Sequence, residues 1–206
     1  MRILILSPHT DDAEIGAGGA ISKFNTPEHD ILWVVFSTCE ESLPNDMPKE
    51  TLVKEFAQVT KFLNIKAKVF DYRVRKLYEH RGEILEHLVK IKHSFKPDLV
   101  IGPSLHDFHQ DHNVVANEMI RAFKTSASII CYELPWNNVE FDTQMFIKLD
   151  SIDIKNKIKL LSFYKSQIIL RGGPFSEEYV KGLAIVRGVQ IGQKYAEAFE
   201  VIRWVM

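Results

Sequence analysis

Two short segments of this chain concentrate side chains capable of metal and proton chemistry. Residues 7–14 read Ser7-Pro8-His9-Thr10-Asp11-Asp12-Ala13-Glu14, an imidazole and three acids directly after the apolar run 3–6. Residues 106–112 read His106-Asp107-Phe108-His109-Gln110-Asp111-His112, which puts three of the eight histidines within seven positions. Two imidazoles and one carboxylate, with a position left for water, are the ligand set of a catalytic zinc site. Such an ion polarises a carbonyl and brings the pKa of water toward neutrality, and a carboxylate that is not a ligand can take the water's proton. Adjacent Asp11 and Asp12 project in different directions from an extended turn, so one can bind metal while the other serves as base. The spacing from His9 to Asp12 suits a tight turn around one ion. Alone, the histidine-rich segment also fits a solvated loop ahead of a helix; the acidic segment shifts the balance toward chemistry.

What must position these residues is an alternation of strands and helices. Runs 3–6, 31–36, 67–70, 99–101 and 128–132 are apolar and rich in β-branched residues, the pattern of strands buried on both faces. Helical patterns separate them at 16–24, 49–63, 83–95 and 113–123. The rhythm predicts right-handed crossovers and an α/β, Rossmann-like, doubly wound and mostly parallel sheet with helices on both faces. After Trp136 it changes: a strand at 146–149, helices at 152–164 and 177–189 and a last strand at 199–205 form a C-terminal α+β extension. No Gly/Ser linker interrupts the chain, so residues 1–206 are expected to form one domain. In such a sheet, ligands bind beyond the carboxyl ends of the strands where the strand order reverses. With order 3-2-1-4-5, the loops after strands one and four are neighbours, and these loops carry the two segments.

Composition narrows the partners. A formal net charge of −1 gives no basic field for nucleic acid. Hydrophobic residues at 46% and charged residues at 26% are ordinary for a globular protein, and no apolar run reaches the ~18 residues of a membrane span. Cys39 and Cys131 are too few for a disulfide framework or a thiolate zinc site and read as buried thiols in a reducing compartment, so a cytoplasmic location is expected.

The quoted motifs resemble a family. Residues 8–19, Pro-His-Thr-Asp-Asp-Ala-Glu-Ile-Gly-Ala-Gly-Gly, are similar to the first signature of the LmbE-like, or PIG-L, zinc-dependent de-N-acetylases, and His109-Gln110-Asp111-His112 is similar to their second. Tyr132-Glu133-Leu134-Pro135-Trp136, the segment 159–167 ending in Tyr-Lys-Ser-Gln, and Tyr195-Ala196-Glu197-Ala198-Phe199 extend the likeness over nearly the whole chain. Thr10 stands where the first motif usually has proline, and Gln110 where proline is frequent in the second; neither change removes a candidate ligand. The resemblance implies that His9, Asp12 and His112 bind Zn2+ and that Asp11 is the general base. It also implies that His109 stabilises the oxyanion or protonates the leaving amine, with Asp111 holding its imidazole. The implied substrate is a small-molecule N-acetylated sugar, of N-acetylglucosamine type, or its conjugate, from which acetate is released. A His-His-Asp site also accepts Fe2+ or Co2+.

Other residues near the expected crevice have weaker claims. Arg73, after the third strand, is the candidate for gripping substrate hydroxyls or phosphate, with Arg75 as competitor, and Trp136 the candidate for stacking on a sugar ring. Glu40 and Glu41 follow the second strand and could reach the same crevice. His106 stays outside the metal set, Asp107 has no strong claim, and His29, His80, His87 and His93 read as surface residues. Gly16, Gly18 and Gly19 could mark a dinucleotide-binding oxidoreductase, but they lack the Gly-x-Gly-x-x-Gly spacing and follow acids that would repel pyrophosphate. A non-catalytic sugar-binding relative is the other alternative, and binding alone has no need of a base.

Overall fold

The computed structural model describes residues 1–205. Five mutually parallel strands come first: β1 (Arg2–His9), β2 (Asp30–Ser37), β3 (Lys66–Val69), β4 (Leu99–Pro103) and β5 (Ser128–Tyr132). Between them run α1 (Asp12–Phe24), α2 (Thr51–Leu63), α3 (Arg81–Phe95) and α4 (Gln110–Phe123). The remainder adds β6 (Met145–Leu149), α5 (Ser151–Leu161), α6 (Lys165–Leu170), α7 (Glu177–Val189) and β7 (Tyr195–Arg203). The sheet order is β3-β2-β1-β4-β5-β7-β6. The expected 3-2-1-4-5 core is present, with β1 and β4 adjacent where the order reverses.

Alternation along β1 divides the core. Ile3 and Ile5 face one apolar cluster and Leu4 and Leu6 the other, and all four are fully buried, so helices must cover both faces. The first cluster takes Phe56 of α2, Leu160 and Leu161 from α5, and Ala184 of α7; the second takes Leu88 of α3 and Met119 of α4. At the free edge, β3 is only four residues long and exposed, with Lys66 and Lys68 discouraging further strand pairing.

The extension differs from a simple continuation. Its last strand, β7, pairs antiparallel with β5 on one side and with β6 on the other, so the chain end is built into the sheet interior. Glu197 of β7 accepts from the backbone N–H groups of Gly19 and Ala20 at 2.9 and 2.7 Å and pairs with the buried Lys157 of α5 at 2.7 Å. Both helices are thereby tied to the same strand.

Helices α1 and α4 begin earlier than the apolar periodicity predicts, at Asp12 rather than Gly16 and at Gln110 rather than Asn113. Acids are stabilised by the free N–H groups and positive end of a helix, although they interrupt the apolar pattern used to place its start. The expected helix 152–164 stops at Leu161, and a separate six-residue α6 follows.

Gly16 shows why α1 approaches the sheet so closely. A Cβ there would lie 2.5 Å from Cδ2 and 2.8 Å from Cγ of the fully buried Tyr132 ring on β5. This is the helix-to-strand packing role, in place of a phosphate cradle. Gly16→Ala is expected to lower unfolding free energy by about 1–3 kcal/mol, because a buried ring has little room to give. Urea denaturation, compared with the exposed Gly182→Ala as control, measures it.

Candidate metal centre

Both chemical segments have one local form: a buried strand ends, a few residues turn, and a helix starts. His9 is the last residue of β1, Asp11 caps α1 and Asp12 is its first residue. His109 caps α4, with Asp111 and His112 in its first turn. Because β1 and β4 pair in parallel from Ile3 with Leu99 to Ile5 with Ile101, both turns emerge at the same sheet end.

Three donor atoms converge there. His9 Nδ1 lies 3.1 Å from Asp12 Oδ2 and 3.1 Å from His112 Nε2, and His112 Nε2 lies 3.2 Å from Asp12 Oδ2. A tetrahedral zinc site with ligands at about 2.0–2.1 Å needs neighbouring donors roughly 3.3–3.4 Å apart, close to this triangle. His109 adds a third imidazole, and ligand nitrogens of His9, His109 and His112 all lie within 4.8 Å of one another.

The far nitrogens explain which ring atoms are available. His9 Nε2 is 3.1 Å from Asp111 Oδ2, and His112 Nδ1 is 2.6 Å from Asp107 Oδ2. Each carboxylate accepts the far N–H, which leaves the near nitrogen, once free of its proton, as the one that can face a metal at the common point. The donor set therefore fits a divalent transition metal. Asp111 is fixed in turn by the backbone N–H of Leu77 at 3.2 Å and that of Arg75 at 2.5 Å.

This corrects one pairing and promotes one residue. The carboxylate of Asp111 holds His9, not His109; only its backbone N–H reaches His109, donating to Nδ1 at 3.2 Å. At the second position of α4 its side chain extends toward β1 and the 75–77 backbone, away from the capping imidazole. Asp107, assigned no strong claim from sequence, is 4% exposed and grips His112, while its other oxygen accepts from His109 N–H at 2.8 Å. Its position five residues before His112 was the available signal.

Charge in the site is strongly coupled. Burial would raise Asp12, but the His112 and His9 imidazoles hold it well below the ordinary carboxylate range. Burial opposes charge on His112 as well, yet Asp12 and Asp107 push it up to about 10. His109 moves the other way, down to about 4, through burial and the neighbouring His9 and His112. It is thus neutral near pH 7, and with Nδ1 accepting from Asp111 N–H, its Nε2 carries the proton. Asp11 is raised by burial and by Asp12, against the opposing charge of Arg171, whose Nη1 stands 3.4 Å from Asp11 Oδ2.

A cavity of about 400 Å³ opens over this cluster and is also lined by Leu52, Val74, Trp136, Gln167 and Arg171. Trp136 is thus on the wall of the cavity that holds the cluster. Arg73 is not part of this lining: it follows edge strand β3, which lies on the far side of β2 from β1 and β4, and its exposed guanidinium pairs with Glu41 at 2.7 Å. The cation beside the cavity is Arg171, which follows α6, sits 5.8 Å from the Trp136 ring centroid, and gives no local sequence signal. Tyr164, at the start of α6, reaches back to Thr10 O and Glu14 Oε1, so the same element braces the acidic turn from beneath. His106 pairs with Glu200 at 2.8 Å, outside the metal group.

Fold and site together define an α/β protein with a cluster of side chains that could hold a metal ion at the switch point of its sheet. The sequence model of PIG-L, GlcNAc-PI de-N-acetylase, matches residues 4–123, and the chain belongs to that family. Among solved structures, it is similar to N,N'-diacetylchitobiose deacetylase from Pyrococcus horikoshii in complex with its inhibitor MPG, with TM-score 0.77, 20% identity, and coverage of 98% of this chain and 83% of that one. It is similar to the zinc-inhibited form of teicoplanin deacetylase Orf2, with TM-score 0.76, 16% identity and 97% coverage of both chains. GalB, the 4-carboxy-2-hydroxymuconate hydratase from Pseudomonas putida KT2440, also shares the fold, with TM-score 0.79, 19% identity, and coverage of 100% of this chain and 97% of that one. Among the described residues, no helix is long and apolar enough to cross a membrane.

Two outcomes follow from the carboxylate supports. Asp107→Asn is expected to weaken zinc binding about 10- to 100-fold with the fold retained, measured by competition with a chromophoric chelator. Because His112 holds its proton at neutral pH in the metal-free protein, zinc binding is expected to release at least one proton. Apparent affinity then rises about tenfold per unit between roughly pH 6 and 8. Calorimetry in buffers of different ionisation enthalpy counts the protons.

Proposed function

We propose that this chain, acting as one catalytic unit over residues 1–206, is a zinc-dependent hydrolase that removes the acetyl group from an N-acetylglucosamine-type sugar or its conjugate. The observation that carries this reading is the convergence of His9 Nδ1, Asp12 Oδ2 and His112 Nε2 beside Asp11, a buried carboxylate outside that triangle. Membership of the PIG-L family supports the reaction class.

In this reading His9, Asp12 and His112 hold the ion. When bound, zinc supplies Lewis acidity that polarises the amide carbonyl and lowers the pKa of water. Asp11 accepts the proton of the attacking water as the new C–O bond forms, and its raised pKa suits a base that must later give the proton up. His109, neutral and protonated on Nε2, donates to the developing negative oxygen. Breaking of the C–N bond then delivers the proton from Asp11 to the leaving amine, yielding acetate and the free amino sugar. The contact between Asp111 N–H and His109 Nδ1 supports the oxyanion role over the acid role, because an imidazolium would set two N–H groups against each other. Trp136 offers a face for the sugar ring at the cavity wall.

An oxidoreductase reading finds no footing: Asp11, Asp12 and Glu14 are buried where a pyrophosphate would meet the start of α1. The buried free thiols Cys39 and Cys131 fit a reducing compartment, in keeping with the cytoplasm. The fold match to the hydratase GalB makes the readout important, because a hydratase adds water and releases no amine. Free amine and acetate must therefore be measured together. Asp11→Asn is expected to keep stoichiometric metal and lose about 10²–10⁴-fold in kcat, whereas His112→Ala loses the metal. Metal analysis by mass spectrometry, with reconstitution by Zn2+, Fe2+ and Co2+, separates the two effects and identifies the active ion. Full acetate release by purified Asp11→Asn protein would refute its role as base.

A further inference from the structure

Helix α7 is apolar on two opposite faces, and the fold of one chain uses only one of them. Val180, Ala184 and Gly188 turn inward and are buried, Val180 and Ala184 in the first core cluster. On the other side Ile185, Val186 and Val189 are 45%, 56% and 71% exposed. With the exposed Gly182 they follow the i, i+3, i+4, i+7 spacing that sets residues along one face of a helix. Water favours polar residues on such a face, so a contiguous apolar stripe marks a surface that something covers.

The two glycines of α7 sharpen this point. A Cβ at Gly188 would lie 2.6 Å from Gln193 O and 2.8 Å from Lys194 O, so the returning chain requires glycine there. A Cβ at Gly182 would meet nothing within 4 Å. Glycine weakens a helix interior relative to alanine, and no contact within the chain accounts for this one. Its open notch lies in the same stripe as the exposed side chains.

The stripe is complementary to itself. When two copies of α7 cross antiparallel about a two-fold axis between Ile185 and Val186, Gly182 of each copy faces Val189 of the other, and Ile185 faces Val186. The most exposed side chain of the stripe then fills the gap left by the missing Cβ. Charge favours the same sense. Glu177 and Glu178 occupy the first turn, whereas Arg187 lies in the last and Lys194 follows it. Lys181 and Arg187 are engaged with Glu177 and Glu133, which leaves exposed Glu178 and Lys194 toward opposite ends of the stripe. An antiparallel pair brings each toward its opposite on the second copy, while a parallel pair would set the acidic turns together. A patch that matches itself in shape and charge about one axis is the property of an isologous contact between identical chains.

We propose that the outer face of α7 docks a second copy of this chain as an antiparallel, two-fold helix pair centred on Ile185 and Val186. The inner side of the same helix backs the wall of the metal-site cavity: the Tyr179 ring lies 6.1 Å from that of Trp136, and Arg187 pairs with Glu133. One helix pair covers less than the roughly 1,200 Å² of a standard interface, so the association is reversible and depends on concentration.

Sedimentation equilibrium of the full chain, from low to high micromolar concentration, tests the pairing. The mass is expected to rise from monomer toward dimer, and Val189→Lys to weaken that association about tenfold or more, because it buries an unpaired charge. Gly182→Leu fills the notch and is expected to weaken association as well. Leucine is the better helix former, so the thermal unfolding temperature of this variant, measured at low concentration, should not fall. That split separates a docking face from a folding defect. Under mild oxidation, an equal mixture of Gly182→Cys and Val189→Cys proteins should form the mixed disulfide in preference to either self-pairing, with the buried Cys39 and Cys131 unable to compete. A mass that stays monomeric at every concentration would overturn the proposal. So would an oligomer that neither Val189→Lys nor Gly182→Leu weakens, or disulfides that form without preference between the two positions.

Discussion

Burying four aspartates around three imidazoles is unfavourable unless each charge meets an opposite charge or a donor, and this requirement organises the site. Asp107 and Asp111 meet it by accepting from the far nitrogens of His112 and His9. Asp12 meets it by facing the near nitrogens, which leaves a common point at which a cation is favoured. Asp11 is satisfied least, with Arg171 at 3.4 Å and Asp12 beside it, and is therefore the acid most ready to exchange a proton. The four environments thus differ, although all four are the same residue type, and the proposed roles of ligand, support and base follow those differences.

The parallel sheet supplies the framework that makes such convergence possible. Pairing β1 with β4 aligns two strand ends that lie about a hundred residues apart in the chain, and buried side chains on both faces of β1 fix that register. The C-terminal part then closes the structure around the turn. β7 enters between β5 and β6, Glu197 anchors α1 and α5, and α6 carries Tyr164 beneath the acidic turn and brings Arg171 to the cavity wall. The family match ends at residue 123, so the segments that reach back to make these closing contacts lie beyond it.

Within that closure the burial of Glu14 has a physical account. Its carboxyl is raised well above the usual range by burial, and it shares a contact with the Tyr164 hydroxyl, which also touches Thr10 O. A protonated Glu14 can donate to the tyrosine oxygen while the tyrosine donates to the backbone carbonyl, a chain of hydrogen bonds with no net charge. The third acid of the opening motif is in this way a structural brace and adds no charge to the histidine and aspartate cluster.

The sequence by itself determined the strand and helix rhythm, the β1–β4 juncture and the cluster of His9, Asp11, Asp12, His109 and His112, because apolar period and local spacing are properties of short segments. The position of Asp107, five residues before His112, is a local sign of the same kind. What only the tertiary structure decided were contacts between segments with no shared period: Asp111 on His9 instead of His109, Arg171 at the cavity in place of Arg73, and β7 inside the sheet. Such contacts depend on strand order and on the direction in which each helix leaves its strand. A charged side chain on a loop gives no local sign of which charge it will meet.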